Sequence, residues 1–130
     1  MSAANAPSKR LMIVDDEPKI RSFIREVAES MGWEVSDAKD GREMMDSFHS
    51  FAPDLILLDV IMLNVDGLEA IQWLGKQKYP GRVVVMTGYE PILTNGTAKF
   101  GIESGVNVTH TLQKPISIVK LREIIGAASR

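Results

Sequence analysis

The sequence predicts a single doubly wound α/β domain, a parallel sheet with helices on both faces, and three observations predict it. Short apolar runs (Leu11 to Val14, Leu55 to Leu58, Val83 to Met86) have no polar alternation, as strands buried on both faces require. Segments with apolar residues at three and four residue steps separate them, so strand and helix alternate along the whole chain. Polar residues stand directly at the ends of these runs, Asp15-Asp16, Asp59 and Thr87, and Lys114 follows a further strand-like segment, Val108 to Gln113. In an open parallel sheet those ends share one edge, and ligands bind there.

The elements follow in order. Residues 1–9 are small and polar and predict a disordered tail, leaving 10–130 as one domain. After the first strand, Pro18 suits the first turn of a helix, and Ile20, Phe23, Ile24, Val27 and Met31 give it one buried side before Gly32. Trp33 to Ala38 alternates weakly, which predicts an edge strand. Asp40-Gly41 turns the chain, Asp40 and Glu43 have capping-box spacing, and Met44, Met45 and Phe48 form the apolar side of a second helix.

Pro53 closes that connection and the run ending in Asp59 follows. Asp66 is placed to cap a third helix with Leu68, Ile71, Trp73 and Leu74 inward, broken by Pro80-Gly81. The fourth strand ends in Thr87-Gly88. Between Tyr89 and Asn107, Leu93, Thr97, Phe100 and Ile102 suggest a fourth helix, although Gly96 and Gly101 would each cost it about 1 kcal/mol. Val108 to Gln113 is the last strand, and Ser117 caps a final helix with Leu121, Ile124, Ile125 and Ala128 on its core side.

Composition narrows the function. The chain has 130 residues, 45% of them apolar, which suits one core, and a net charge of -2, which offers no footprint for nucleic acid or an anionic membrane. Zero cysteines exclude disulfides and thiolate metal sites. No stretch has the length of a signal core or a membrane span, so the expected compartment is the cytoplasm.

The shared edge carries the chemistry. Two carboxylates about 4 Å apart repel by about 4 kcal/mol at an effective dielectric of about 20, so Asp15, Asp16 and Asp59 call for a counter-ion. Oxygen donors alone select magnesium, with manganese as the alternative. Lys114 adds a cationic point charge and Thr87 a hydroxyl, both suited to phosphoryl oxygens. This set describes phosphoryl transfer with Asp59 as the nucleophile. An isolated Asp15-Asp16 pair would read as a helix cap; its company changes that reading. Dinucleotide binding needs glycines after the first strand, and Asp15-Asp16-Glu17-Pro18 stands there instead. His49 and His110 show no metal-ligand pattern.

LMIVDDEP, DLILLDVIMLNVDG, VVVMTG and LQKP, in this order, resemble the receiver domain of bacterial two-component response regulators. As a stand-alone receiver the chain resembles the single-domain, chemotaxis-type regulators. The resemblance covers nearly the whole chain from about Lys9. It implies a flavodoxin-like five-stranded sheet of order 2-1-3-4-5 and a phosphorylation-dependent switch rather than an enzyme. Asp59 would accept a phosphoryl group from a histidine kinase or a histidine phosphotransfer protein. Metal ligands would be Asp16 and Asp59 directly, Asp15 largely through water, and the backbone carbonyl of Ile61. Thr87 and Lys114 would bind phosphoryl oxygens, and Lys114-Pro115 would be a cis peptide. Output would pass to a protein partner through the fourth helix, fifth strand and fifth helix, from a monomer or a weak phosphorylation-dependent dimer, without direct contact to nucleic acid or membrane.

The chain departs from the family's pattern at Thr111, where an aromatic is common, and at Met62-Leu63, where Met-Pro is common. The stretch from Thr87 to Lys114 is longer than usual, and Tyr89 is a candidate to replace the aromatic. Two other readings stand beside the first: a metal-dependent phosphatase of the haloacid dehalogenase type, and a degenerate receiver that only docks. The former keeps its nucleophile in a DxD pattern after the first strand, which this chain lacks.

Overall fold

A computed structural model of the chain describes residues 9–60, 67–88 and 99–129. Five strands, β1 (Arg10–Val14), β2 (Glu34–Ala38), β3 (Leu55–Asp59), β4 (Arg82–Thr87) and β5 (Asn107–Gln113), form one sheet of order β2-β1-β3-β4-β5. Every strand pair is parallel. The helices are α1 (Pro18–Ser30), α2 (Gly41–Phe51), α3 (Gly67–Lys76), a segment at residues 99–103 labelled α4, and α5 (Ile118–Ala128). Among the described residues no helix is long and apolar enough to cross a membrane.

Alternate residues of the central strands feed two cores. Met12, Val14, Ile56, Leu58, Val83 and Val85 pack with Met44 and Phe48 of α2 and Ala70, Ile71 and Leu74 of α3. Leu11, Ile13, Leu55, Leu57, Val84 and Met86 pack with Ile24, Val27 and Ala28 of α1 and Leu121, Ile124 and Ile125 of α5. A strand covered on both faces has no place for polar alternation, which is why β3 reads as an unbroken apolar run. β2 is the predicted edge. It begins one residue later than expected, because the Trp33 amide still donates to the Ala28 carbonyl of α1 at 3.1 Å, while its side chain is buried in the α1/α5 core.

Local chemistry fixes the helix starts. Pro18 occupies the first turn of α1, and Ser117 caps α5 by accepting from the Lys120 amide at 3.3 Å. Asp40 accepts from the Glu43 amide at 2.9 Å, while Glu43 Oε1 accepts from the Lys39 amide at 2.9 Å, one residue before the capping-box position. Leu68 is a correction: the third-helix periodicity put it inward, but it lies on the outer side, 42% exposed. Ile102 in α4 is likewise outward at 61% exposed, while Phe100 packs on the core. Gly101 does not break α4. A Cβ there would stand 2.6 Å from Val108 Cγ2, so the glycine lets α4 approach β5. Residues 89–98, which hold the remainder of the expected fourth helix and Tyr89, lie outside the described residues, as do Asp66 and the tail at 1–8.

β5 carries a bulge. Its register with β4 steps from Val83↔Val108 to Val84↔His110, so Thr109 is the extra residue. The step reverses the side-chain parity of the strand: Val108 packs toward the α2/α3 core, and Leu112, four residues on, belongs to the α1/α5 core. Thr111 pairs with Val85 and so shares its face.

Candidate functional site

The carboxyl ends of β1, β3, β4 and β5 meet at one edge. Beyond β1, the Asp15 amide donates to the Ala38 carbonyl at 3.1 Å, continuing the β1–β2 ladder by one residue. Asp15 is fully buried, its Oδ1 accepts from the Glu17 amide at 2.8 Å, and Arg21 Nη1 donates to its carbonyl at 2.7 Å. The acidic turn is therefore held by both its side chain and its main chain.

β3 delivers Asp59, buried at the end of the strand and in register with Met86. The next residue, Val60, donates its amide to the Met86 carbonyl at 3.0 Å and accepts from the Gly67 amide at 3.1 Å. α3 thus starts directly against the residue after the acid. β4 delivers Thr87, which is fully buried and whose hydroxyl has no hydrogen-bond partner among the described residues. β5 leads into Lys114, whose amide donates to the Thr87 carbonyl at 2.8 Å before the cis Lys114-Pro115 bond.

Lys114 Nζ lies 2.5 Å from Glu17 Oε2, 2.8 Å from Asp15 Oδ2 and 3.3 Å from Asp59 Oδ2. Burial works against the charge on Lys114, but hydrogen bonds to Asp15 and Glu17 and the field of Asp59 outweigh it and raise its pKa above 10.5. Burial raises the Asp15 pKa above 3.8, against the pull of Lys114. The carboxylate oxygens of Asp15, Asp16 and Glu17 lie within 4.8 Å of one another, an all-oxygen donor set of the kind hard divalent cations take.

The structure thus brings Asp15, Asp59 and Lys114 into direct contact, sets Asp16 beside Asp15, and leaves the Thr87 hydroxyl unpartnered at the end of the neighbouring strand. Ile61, the expected carbonyl ligand, and Met62-Leu63 lie outside the described residues. Sequence reasoning missed Glu17. Its signal was available: it is the third acid of the run, one residue before a helix-starting proline, so its side chain points back toward the strand ends.

Fold and crevice define a doubly wound domain that gathers acids, a lysine and a hydroxyl at one sheet edge. The chain belongs to the response regulator receiver domains, whose family model matches residues 11–126. It is 30% identical over 118 residues to sporulation initiation phosphotransferase F of Bacillus subtilis, covering 91% of each chain. It is also 30% identical over 112 residues to the transcriptional regulatory protein TrcR of Mycobacterium tuberculosis, covering 86% of this chain but only 42% of TrcR. The CheY-like receiver domain from Methanospirillum hungatei has the same fold, with a TM-score of 0.82 at 24% identity over 95% of this chain and 94% of that one. Membership places the chain in phosphorylation-dependent two-component signalling.

Proposed function

We propose that this receiver is a phosphorylation-dependent switch in which Asp59 takes a phosphoryl group from a phosphohistidine of a histidine kinase or a histidine phosphotransfer protein. The observation that carries the reading is Lys114 Nζ held among Asp59, Asp15 and Glu17, with the buried Thr87 hydroxyl, unpartnered among the described residues, at the end of the adjoining strand. A buried hydroxyl without a partner costs stability, and an incoming phosphoryl oxygen would satisfy it. In the transfer, an Asp59 carboxylate oxygen forms a bond to phosphorus, the phosphorus to nitrogen bond breaks, and the electron pair leaves with the imidazole. Lys114 and Thr87 bind the phosphoryl oxygens.

Magnesium, or manganese in its place, would be held by Asp15, Asp16 and Asp59 with the Ile61 carbonyl, and would neutralise charge on the transferring group. The chemistry of the donors fits: Asp15 and Asp16 lie in an all-oxygen cluster with Glu17, and Asp59 converges with Asp15 on the same Lys114 ammonium. The chain then promotes only its own phosphorylation and dephosphorylation, and it acts in the cytoplasm. Drawing Thr87 and Lys114 toward the phosphoryl group would bias a two-state equilibrium read by a protein partner at α4, β5 and α5.

Acetyl phosphate with magnesium is expected to modify Asp59 alone, read by intact and peptide mass. Full labelling of Asp59→Asn, or repeated turnover of a generic phosphomonoester, would sink the reading.

A further inference from the structure

Lys114 has more anionic partners than its role requires. Of the carboxylates around Nζ, the nearest is Glu17 at 2.5 Å, and the acid it should serve, Asp59, is the farthest at 3.3 Å. From this we infer that Glu17 is a positioning residue that latches Lys114 in the resting protein, so that the lysine must leave Glu17 to engage a phosphoryl group. The inference rests on Asp59 being the phosphoacceptor.

Glu17 is built for this contact rather than for its helix. It is the N-cap of α1, yet its side chain makes no capping bond. Its backbone is fixed on both sides: its amide donates to Asp15 Oδ1, and its carbonyl accepts from the Ile20 and Arg21 amides at 3.1 Å. Pro18 has no amide proton to offer a cap. The carboxylate is thereby free to reach Lys114, 97 residues along the chain, from a backbone held by hydrogen bonds on both sides.

Exposure separates Glu17 from its neighbours. Its side chain is 57% exposed, against 0% for Asp15 and 5% for Asp59. Released from Lys114, Glu17 is rehydrated at little cost, whereas Asp15 would be left as a buried charge. One ammonium donates to both Glu17 and Asp59, so a phosphoryl group on Asp59 that draws the ammonium toward itself draws it away from Glu17. Glu17 is the partner most easily given up. The carboxylate therefore sets the ease with which the lysine is recruited, without touching phosphorus.

The test is a double-mutant cycle on the full chain, with acetyl phosphate and saturating magnesium, timing the appearance of phosphorylated Asp59. Glu17→Gln is expected to raise the rate about two- to fivefold, the equivalent of an exposed ion pair. Glu17→Asp, which keeps the charge but shortens the reach, should raise it as well. In a Lys114→Ala background, Glu17→Gln should change nothing; if that background labels too slowly to time, beryllium fluoride affinity read by tryptophan fluorescence completes the cycle. Equal acceleration with and without Lys114 would mean simple repulsion of the donor, and would overturn the latch. So would single variants with unaltered rates. A calorimetric magnesium Kd weakened about tenfold in Glu17→Gln, with the saturated rate unchanged, would make Glu17 a metal residue and also overturn it. Absence of labelling at Asp59 in the unaltered protein would instead fail the phosphoacceptor reading itself.

Discussion

The Lys114 amide donates to the Thr87 carbonyl at 2.8 Å, tying the ends of β4 and β5 by main chain just where each strand presents a polar side chain to the crevice. The tie fixes the two backbones relative to each other. What remains free to respond is side-chain chemistry: an ammonium shared among acids and a hydroxyl with no partner among the described residues.

The orphaned hydroxyl gives the first prediction. A buried polar group without a hydrogen bond costs about 1–3 kcal/mol, and a same-shaped apolar group removes that cost. Thr87→Val should therefore be neutral or stabilise the unphosphorylated protein by up to about 1 kcal/mol in urea unfolding, yet abolish the structural response to acetyl phosphate. Thr87→Ser should keep the response. Clear destabilisation by valine would show that the hydroxyl is satisfied at rest.

Asp15 gives the second. Burial holds its pKa above the ordinary 3.8, so the folded protein binds this proton more tightly than the unfolded chain does. Asp15 then favours folding below pH 3.8 and loses that contribution as pH rises through its raised value, leaving a net cost at neutral pH. Asn keeps the Oδ1 acceptor for the Glu17 amide. Asp15→Asn should raise the melting temperature in EDTA at pH 7 by about 2–5 °C, and the advantage should shrink toward pH 4. The magnesium-induced rise of the unaltered protein should be lost in the variant.

Lys114 has the opposite sign. Its pKa lies above the ordinary 10.5, so its contribution to stability is complete below that pH and is lost as pH rises through the raised value. Lys114→Met leaves Asp15 and Asp59 without their shared cation. Without metal it should cost about 1–3 kcal/mol, between the values for exposed and buried pairs. The gap from the unaltered protein should stay level to about pH 10 and close above it, as read by chemical denaturation.

How much of this was legible in the sequence follows from what each residue depends on. β3 and β4 were readable because burial on both faces leaves a local, unbroken apolar signature, and α1 because Pro18 and the apolar spacing agree. Leu68 was misread because periodicity marks a stripe but not its edges: Ala70, Ile71 and Leu74 form the buried stripe of α3, and Leu68 lies outside it. The bulge at Thr109 left no mark, since no residue there demands it, and it decides that Thr111 faces the Val85 side. At the site, Asp15, Asp59 and Lys114 were readable as strand-end groups. Glu17 was not, because its role arises from a contact 97 residues distant in the chain.

Gly67 carries the last prediction. A Cβ there would lie 2.2 Å from Val60 Cα and 2.8 Å from its carbonyl carbon and oxygen. These are backbone atoms of the residue directly after Asp59, and Val60 is itself anchored to the Met86 carbonyl, so neither side can yield cheaply. Gly67→Ala should push the start of α3 away from β3 and break the Gly67 to Val60 hydrogen bond of 3.1 Å. Overpacking of this kind costs about 1–3 kcal/mol. Because the strain falls beside the acceptor, the variant should also phosphorylate more slowly with acetyl phosphate even where its circular dichroism shows it folded. Gly105→Ala provides the comparison: Gly105 has φ +87° and nothing within 4 Å of its Cβ position, so strain there is purely conformational and remote from Asp59. That variant should lose stability without losing phosphorylation rate. Equal slowing in both would show that Gly67 acts only through global stability.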